Sequence, residues 1–155
     1  MTNTAFDHRL DGDPVDPNWP HVVIVGAGFG GLAVAQRLGN APVRVTVIDR
    51  NNYHLFVPLL YQLATAALSP ADVAEPIRHV LGRYPNIRVV LGEVTGGDTG
   101  ARQVALSTGE ALSYDRLVMA TGSTSSYFGH DEWRDVAPAC KSIEEARVIR
   151  SRVLN

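Results

Sequence analysis

Residues 21–38, HVVIVGAGFGGLAVAQRL, indicate the fold that the whole chain is expected to adopt. The first five residues are a run rich in Val and Ile, which is typical of a buried strand. A glycine-rich turn, residues 26–31, follows this strand. Leu32, Ala35 and Leu38 then recur at helical spacing, so the turn leads into a helix that ends at the following glycine and asparagine.

A second predicted strand completes a βαβ unit. Residues 43–50, VRVTVIDR, are again largely apolar, and they place the carboxylate of Asp49 at the end of the strand. A strand–helix–strand crossover is right-handed in nearly all proteins and pairs its two strands in parallel. The sequence therefore predicts an α/β domain built on a parallel sheet.

The next part of the chain adds helical segments and a third strand. Ser69 followed by Pro70 resembles an N-cap with proline at the first helical position. Pro76 lacks an N–H and should break or kink this helix, and it can begin the next one. The apolar run IRVVLGEV, residues 87–94, predicts the third strand.

Glycine turns and short apolar runs then predict a small antiparallel β excursion. Its strands are residues 103–106 and 111–113. The continuous apolar run at residues 116–120 instead predicts another parallel core strand. Together these elements predict a Rossmann-like domain with a parallel sheet and a small antiparallel excursion.

The two ends of the chain differ in character. Residues 1–20 include DHRLDGDPVDPNWP, with four Asp, three Pro and no periodicity, and they lack the basic start and apolar run of a secretory signal. We expect these residues to form a disordered or loosely attached tail. Ser142 and Glu145 have capping-box spacing and predict a helix near the other end. The predicted domain is residues 21–155.

Composition excludes several classes of function. The chain has 155 residues, 45% of them apolar, and a net charge of −2, so no basic field is present to bind nucleic acid. The single Cys140 excludes an internal disulfide and a Cys-rich metal site, and we expect a structural or incidental thiol. His54 and His79 have no partner at metal-ligand spacing, so no metal site is predicted.

The glycine turn matches the GxGxxG pattern of dinucleotide-binding proteins. Gly26 permits the tight turn, Gly28 leaves room for a pyrophosphate to approach the backbone, and Gly31 lets the helix pack close to the sheet. The free N–H groups at the helix N-terminus would face the phosphates. The candidate residues of this turn are Gly26, Ala27, Gly28, Phe29, Gly30 and Gly31.

Asp49 adds the second part of this pattern, 18 residues after Gly31. A carboxylate at the end of the second strand can accept hydrogen bonds from both hydroxyls of an adenosine ribose. The simpler alternative is a strand-end carboxylate that faces solvent. The pattern indicates an adenine dinucleotide and does not by itself separate FAD from NAD.

The stretch HLFVPLLYQLATAAL, residues 54–68, carries no formal charge. Its apolar part is shorter than the roughly 20 residues of a membrane-spanning helix, and Pro58, Gln62 and Thr65 interrupt it. We therefore reject a transmembrane segment. A core helix and the apolar wall of a cofactor site remain as interpretations.

Two further stretches, together with the glycine turn, resemble a known family. DRNNYHLFVPLLYQLATAALSPADVAEPIR and YDRLVMATGS are similar to the N-terminal, FAD-binding part of the type II NADH dehydrogenases. These are NADH:quinone oxidoreductases of the pyridine nucleotide-disulfide oxidoreductase-like superfamily. The resemblance covers about residues 20–154. Disulfide reductases and sulfide:quinone oxidoreductases need a pair of redox cysteines, which this chain lacks.

The resemblance implies FAD as cofactor and assigns roles to individual residues. Leu59, Leu60, Gln62 and Thr65 would belong to the wall beside the flavin ring. Asp49 would bind the adenosine ribose. The remaining implied positions are Arg50 near the adenine, Val94 with its backbone at the adenine, and Ala120, Thr121 and Gly122 in a turn that closes over the FAD.

The resemblance also implies the activity. In the family, electrons move from NADH through FAD to a quinone. No second GxGxxG occurs in this sequence. We therefore expect the FAD-binding portion of a longer enzyme that is incomplete relative to the family and not competent for turnover alone. No catalytic residue is assigned. The expected location is cytoplasmic, with peripheral contact to the inner face of the membrane through absent parts, and the alternative is a non-catalytic FAD- or NAD-binding module.

Overall fold

A computed structural model describes residues 15–155 as a mixed α/β fold. The main sheet has four parallel strands, and smaller sheets of two and three strands are antiparallel. In chain order the strands are β1 His21–Val25, β2 Arg44–Asp49, β3 Tyr53–Leu55, β4 Ala74–Pro76, β5 Ile87–Leu91, β6 Val94–Asp98, β7 Gln103–Leu106, β8 Ala111–Ser113 and β9 Arg116–Met119. The α-helices are α1 Phe29–Leu38, α2 Leu60–Ala64, α3 Pro70–Val73, α4 Ile77–Leu81 and α5 Ile143–Leu154.

The main sheet has the strand order β5-β2-β1-β9, which confirms the predicted parallel sheet. β1 lies in the middle, where Val25 is opposite Ile48 of β2 on one side and Met119 of β9 on the other. The chain first adds strands to one side of β1 and then returns to the other side. All four strands therefore point the same way, and their carboxyl ends meet at one edge of the sheet.

The two faces of the main sheet pack against different partners, as the alternation of side chains along a strand requires. Val22 and Ile24 of β1 join a buried cluster with residues of α1 and α4, including Ala35 and Ile77. Val23 and Val25 face the opposite way, toward Val104 and Leu106 of β7. The result is three layers, with helices on one side of the parallel sheet and the antiparallel excursion on the other.

A buried asparagine joins the end of α1 to the start of β2. Asn86 is 5% exposed, and its Nδ2 donates to the carbonyl oxygens of Leu38, Ala41 and Val43 at 2.9–3.2 Å. Its Oδ1 accepts from the N–H of Asn40 at 2.9 Å. One side chain thus satisfies four backbone groups of the loop, which fixes how the helix turns back to the sheet.

The third buried cluster lies outside the main sheet. It is formed by α2, α3 and α5, with Leu60, Leu63, Val73, Ile143 and Ala146 at its centre. Both predicted helix starts that enclose it are confirmed. The side chains of Ser69 and Ser142 each form a capping box with the acidic residue three positions later.

One predicted boundary was wrong, and two other segments differ in detail from a simple helix. The third strand ends at Leu91 rather than at residue 94. The Gly92 N–H still donates to Asp49 O, and the chain then leaves the sheet. Val94 begins β6 of the antiparallel sheet instead. Pro76 does break the helix, but a short strand pair, β3 with β4, separates α3 from α4. The stretch at residues 54–68 is a strand end, a 3₁₀ turn and a five-residue helix.

The segment before β1 is described from residue 15 onward, so residues 1–14 of the predicted tail lie outside the described part. Among residues 15–20, the carbonyl oxygen of Trp19 accepts a hydrogen bond from Arg44 Nε at 3.0 Å. The carbonyl oxygen of Pro20 accepts one from the backbone N–H of Arg44 at 2.9 Å. The last residues of the predicted tail are therefore attached to β2. In residues 15–155, every helix is too short or too polar to cross a membrane.

Candidate functional site

A cleft of about 420 Å³ opens at the carboxyl ends of the parallel strands. It lies beside β1, where the order of strands reverses. In α/β sheets this is the position at which ligands bind, because the loops diverge there and leave a crevice. The cleft is lined by Val25, Gly26, Ile48, Asp49, Arg50, Gly92, Glu93, Val94, Thr121, Gly122, Ser123 and Thr124.

Two glycines of the turn are required by packing within the protein. Gly26 has φ +99°, a left-handed conformation that favours glycine, and a Cβ there would collide with the backbone carbonyl of Ala120. At Gly31 a Cβ would collide with the carbonyl oxygen of Gly26, so this glycine permits the close approach of α1 to the end of β1. These two contacts fix the path of the turn.

Gly28 has a different environment. No atom lies within 4 Å of the position that its Cβ would occupy, and the residue is exposed. Its carbonyl oxygen accepts the first helical hydrogen bond from the Leu32 N–H at 2.9 Å, so Gly28 is the N-cap of α1. The early N–H groups of the helix lack partners within it and carry its partial positive charge. Backbone donors and open space therefore coincide at Gly28.

Asp49 connects β2 with the glycine turn. Its Oδ2 accepts from the N–H of Ala27 at 2.6 Å, and its Oδ1 accepts from the N–H of Asn51 at 2.8 Å. The carboxylate is half-buried and borders the cleft, while the neighbouring Arg50 is exposed. Asp49 is thus held in a fixed orientation, unlike a carboxylate that only faces solvent. Each oxygen retains a lone pair for a further donor.

The remaining predicted residues of the adenine side lie around the same cleft. Val94 is half-buried at the start of β6, and Thr121 and Gly122 follow β9. Gly122 has φ +70°, which suits a sharp turn at this point. The Ala120 N–H donates to Val25 O at 2.8 Å and holds this turn against β1.

The residues predicted for the flavin wall divide between the core and the surface. Leu60 is 1% exposed, and its side chain packs in the cluster of α2, α3 and α5. Leu59 packs against the same cluster. Gln62 Nε2 donates to the hydroxyl of Tyr61 at 2.9 Å, and Thr65 Oγ1 donates to the Tyr61 carbonyl at 2.9 Å. Gln62 is thus paired with the side chain of the exposed Tyr61, and Thr65 with its backbone.

An aromatic group joins this segment to the glycine turn. Phe29 is the first residue of α1. The centre of its ring lies 5.1 Å from the ring centre of His54 and 5.3 Å from that of Phe56, edge-on to both. Phe29, Phe56 and Tyr61 are all exposed.

Burial raises the pKa of the nearby Tyr53, and the negative charges of Glu144 and Asp49 act in the same direction, so its phenol stays protonated near neutral pH.

Sequence reasoning missed several residues at the site. The sequence offered His54 only as a possible metal ligand without a partner, yet its Nδ1 lies 2.9 Å from the carbonyl oxygen of Ala27 in the glycine turn. Glu93, Ser123 and Thr124 line the cleft but carried no recognisable pattern. Their proximity results from the pairing of distant strands, so no local signal could have identified them.

The other residues considered as reactive groups lie elsewhere. His79 Nε2 is 3.8 Å from Glu75 Oε1 in an exposed pair one helical turn apart. Cys140 is half-buried beside the cluster of α2, α3 and α5. Burial, with a smaller contribution from Glu145, raises the pKa of its thiol, so the reactive thiolate is disfavoured.

The fold and the glycine turn define a Rossmann-type domain of the dinucleotide-binding kind. A family model described as pyridine nucleotide-disulphide oxidoreductase matches residues 20–154. The chain belongs to this family.

Two curated relatives are type II NADH:quinone oxidoreductases, which confirms the resemblance inferred from the sequence. The type II NADH:quinone oxidoreductase NdhA of Mycobacterium tuberculosis is 45% identical over 136 residues, which are 86% of this chain and 29% of the relative. The type II NADH:quinone oxidoreductase Ndh of the same organism is 42% identical over 142 residues, 90% of this chain and 31% of the relative. The chain thus spans about 30% of the length of these relatives.

Solved structures with the same fold include more than one branch of the family. The sulfide:quinone oxidoreductase of Aquifex aeolicus has a TM-score of 0.79 and 28% identity, covering 87% of this chain and 32% of its own. NDH2 of Plasmodium falciparum, solved in complex with NADH, has a TM-score of 0.78 and 26% identity, covering 87% and 29%. These similarities confirm the predicted fold class, which both branches share.

Proposed function

We propose that this chain is the FAD-binding part of an NADH:quinone oxidoreductase. The observation that carries the proposal is the open backbone at Gly28, at the N-terminus of α1 and beside the fixed carboxylate of Asp49. This combination suits a pyrophosphate followed by an adenosine ribose. The names of the M. tuberculosis relatives supply the reaction class.

Each part of the cleft has a role in this proposal. The N–H groups at the start of α1 would bind the pyrophosphate, and Asp49 would accept from the ribose hydroxyls through its remaining lone pairs. The backbone of Val94 and the side chain of Arg50 would border the adenine, and the turn of Thr121 and Gly122 would cover the cofactor. FAD supplies the two-electron chemistry, while the protein supplies position and electrostatics.

The surface at Phe29, Phe56 and Tyr61 would complete the flavin end of the site, together with Leu59, Gln62 and Thr65. A flat, largely apolar ring system needs apolar contacts with a few polar groups that fix its orientation. The NADH and quinone sites would belong to the rest of the longer enzyme. Such an enzyme would be cytoplasmic and peripheral to the inner face of the membrane.

The test of cofactor choice is a titration of the purified protein with FAD and with FMN. FMN has the same isoalloxazine ring but lacks the adenosine half, so it measures how much of the binding comes from the glycine turn and Asp49. We expect FAD to bind and FMN to bind at least tenfold more weakly. Equal binding of the two flavins, or binding of neither, would contradict the proposal.

A second candidate function is a dinucleotide-binding module without catalysis. It is favoured by the single GxGxxG in the sequence, since the reaction needs FAD and NADH held with their reactive rings in contact. Stopped-flow mixing of the FAD-loaded chain with NADH and a quinone addresses this point. We expect no rapid flavin bleaching from residues 1–155 alone. Turnover by this chain would show that a second nucleotide domain is dispensable.

A further inference from the structure

We propose that His54 is a positioning residue for the phosphate-binding turn, which extends the proposed function and rests on it. His54 lies in β3, and its Nδ1 is 2.9 Å from the carbonyl oxygen of Ala27. A carbonyl oxygen only accepts hydrogen bonds, so Nδ1 carries the proton and donates. The imidazole therefore binds the backbone of the turn between Gly26 and Gly28.

This contact holds one residue of the turn from two sides. The Ala27 N–H donates to Asp49, and the Ala27 carbonyl accepts from His54. The peptide that joins Ala27 to Gly28 is planar and trans, so its N–H points opposite to its carbonyl. With the carbonyl directed at His54, the Gly28 N–H is directed away from it. Within residues 15–155 this N–H donates no hydrogen bond to the protein.

The imidazole is itself held in place. β3 pairs with β4, with Tyr53 opposite Pro76 and Leu55 opposite Ala74, and this pairing fixes the backbone on both sides of His54. The ring also packs edge-on against Phe29 at 5.1 Å. His54 thus connects a rigid strand pair to the turn and presets the donor of Gly28 toward the open space where an anion would sit. A preset donor binds more tightly because less ordering accompanies binding.

Without the hydrogen bond from His54, the Ala27–Gly28 peptide gains the freedom to rotate. Rotation would direct the carbonyl oxygen of Ala27, rather than the N–H of Gly28, toward the anion. A carbonyl dipole in that orientation repels phosphate oxygens. The predicted effect is therefore confined to ligands that carry phosphate at this position.

Two variants separate the hydrogen bond from the aromatic packing. In His54→Asn the amide nitrogen can take the place of Nδ1 and donate to Ala27, while the ring contact with Phe29 is lost. In His54→Phe the ring remains and the donor is lost. We expect His54→Phe to bind FAD and ADP about tenfold more weakly, as the loss of one hydrogen bond predicts, and His54→Asn to stay within about twofold of wild type.

The control is His79→Phe, which changes an exposed histidine on α4 and should leave both affinities unchanged. Wild-type affinity in His54→Phe, or equal losses in the Asn and Phe variants, would overturn the proposal. The first result would mean that the turn keeps its orientation unaided, and the second that the loss of affinity does not follow the loss of the hydrogen bond.

A measurement without ligand separates this proposal from the proposed function. In ¹⁵N,¹³C-labelled protein at neutral pH we expect His54 to be the Nδ1–H tautomer, with a hydrogen-bond coupling between Nδ1 and the carbonyl carbon of Ala27. The Nε2–H tautomer would overturn the role of His54 whatever the ligand data. If this tautomer and coupling are found but wild type binds neither FAD nor ADP, His54 holds the peptide as inferred and the proposed function fails alone.

Discussion

Gly31 and Gly28 should respond to substitution in opposite ways, although both belong to the same motif. A Cβ at Gly31 would collide with the carbonyl oxygen of Gly26 and lie 3.3 Å from the Ala120 Cβ. Gly26 itself has φ +99°, and the backbone of Ala120 lies beside it, so the atom that the new Cβ meets belongs to a tightly packed turn. At Gly28 the backbone has φ −68° and ψ −168°, which any residue adopts, and the space beside it is open.

These contacts set the expected magnitudes. Overpacking costs about 1–3 kcal/mol, and the opposing atom at Gly31 is backbone, so the upper end applies. Replacing glycine by alanine in a helix returns about 1 kcal/mol. Gly31→Ala should therefore lower the free energy of unfolding by about 2 kcal/mol, or the thermal midpoint by about 4–8 °C for a chain of this size. Gly28→Val should stay within about 1 kcal/mol of wild type, because a poorer N-cap is the main loss.

The assay combines thermal unfolding by circular dichroism with FAD titration of each variant at matched ellipticity. Gly28→Val should keep its thermal midpoint and lose FAD binding, because the side chain would fill the phosphate position. Gly31→Ala should lose stability first. If Gly31→Ala unfolds at the wild-type temperature, the packing account of the turn is refuted. If Gly28→Val binds FAD like wild type, the phosphate assignment is refuted.

Three further predictions concern single side chains. Asp49→Ala should weaken FAD binding by about 1–3 kcal/mol, since it removes charged acceptors of hydrogen bonds, and unchanged affinity in calorimetry would assign Asp49 to the surface. Asn86→Ala should lower the free energy of unfolding in urea by about 1–3 kcal/mol, because it removes one hydrogen-bond partner from each of four backbone groups, and a loss below about 1 kcal/mol would contradict this role. Burial, and then the charge of Arg44, lowers the pKa of His21 below its usual 6.5. As the pH falls, the unfolded chain therefore binds a proton at His21 before the folded chain does. The contribution of His21 to stability is present above pH 6.5 and is lost as the pH falls from there through the lowered folded pKa. In thermal melts between pH 7 and pH 5 this decline should be smaller in His21→Gln, and an equal decline would exclude His21 as its source.

The parts of the fold that were predictable have local signals. β1, the glycine turn, α1 and β2 follow one another within 30 residues, and each is marked by its own pattern of Val, Ile and Gly. The capping boxes at Ser69 and Ser142 are likewise local, since each involves a residue and the third one after it. Asp49 could be selected because its distance from the glycine turn is itself part of the pattern.

The parts that were not predictable depend on contacts between distant residues. β5 ends at Leu91, opposite Asp49, the last residue of its neighbour β2, and residues 87–94 alone do not contain this pairing. Leu60 and Leu59 both look suited to an apolar wall, and only the packing of α2 against α5 shows that Leu60 is a core residue. His54 looked solitary because its partner, Ala27, is 27 residues earlier in the chain.

The separation of the buried clusters has a consequence for how the protein opens. The cluster of α2, α3 and α5 shares no residue with the two clusters on the main sheet, so it forms a candidate unit of local unfolding. Phe29, His54 and Phe56 connect that unit to the glycine turn. A ligand that contacts both this unit and the glycine turn would raise the free energy of local unfolding of the unit. The increase depends on the ligand concentration relative to its Kd. Occupancy of the cleft would then slow amide exchange in α5, a helix that lines no part of it.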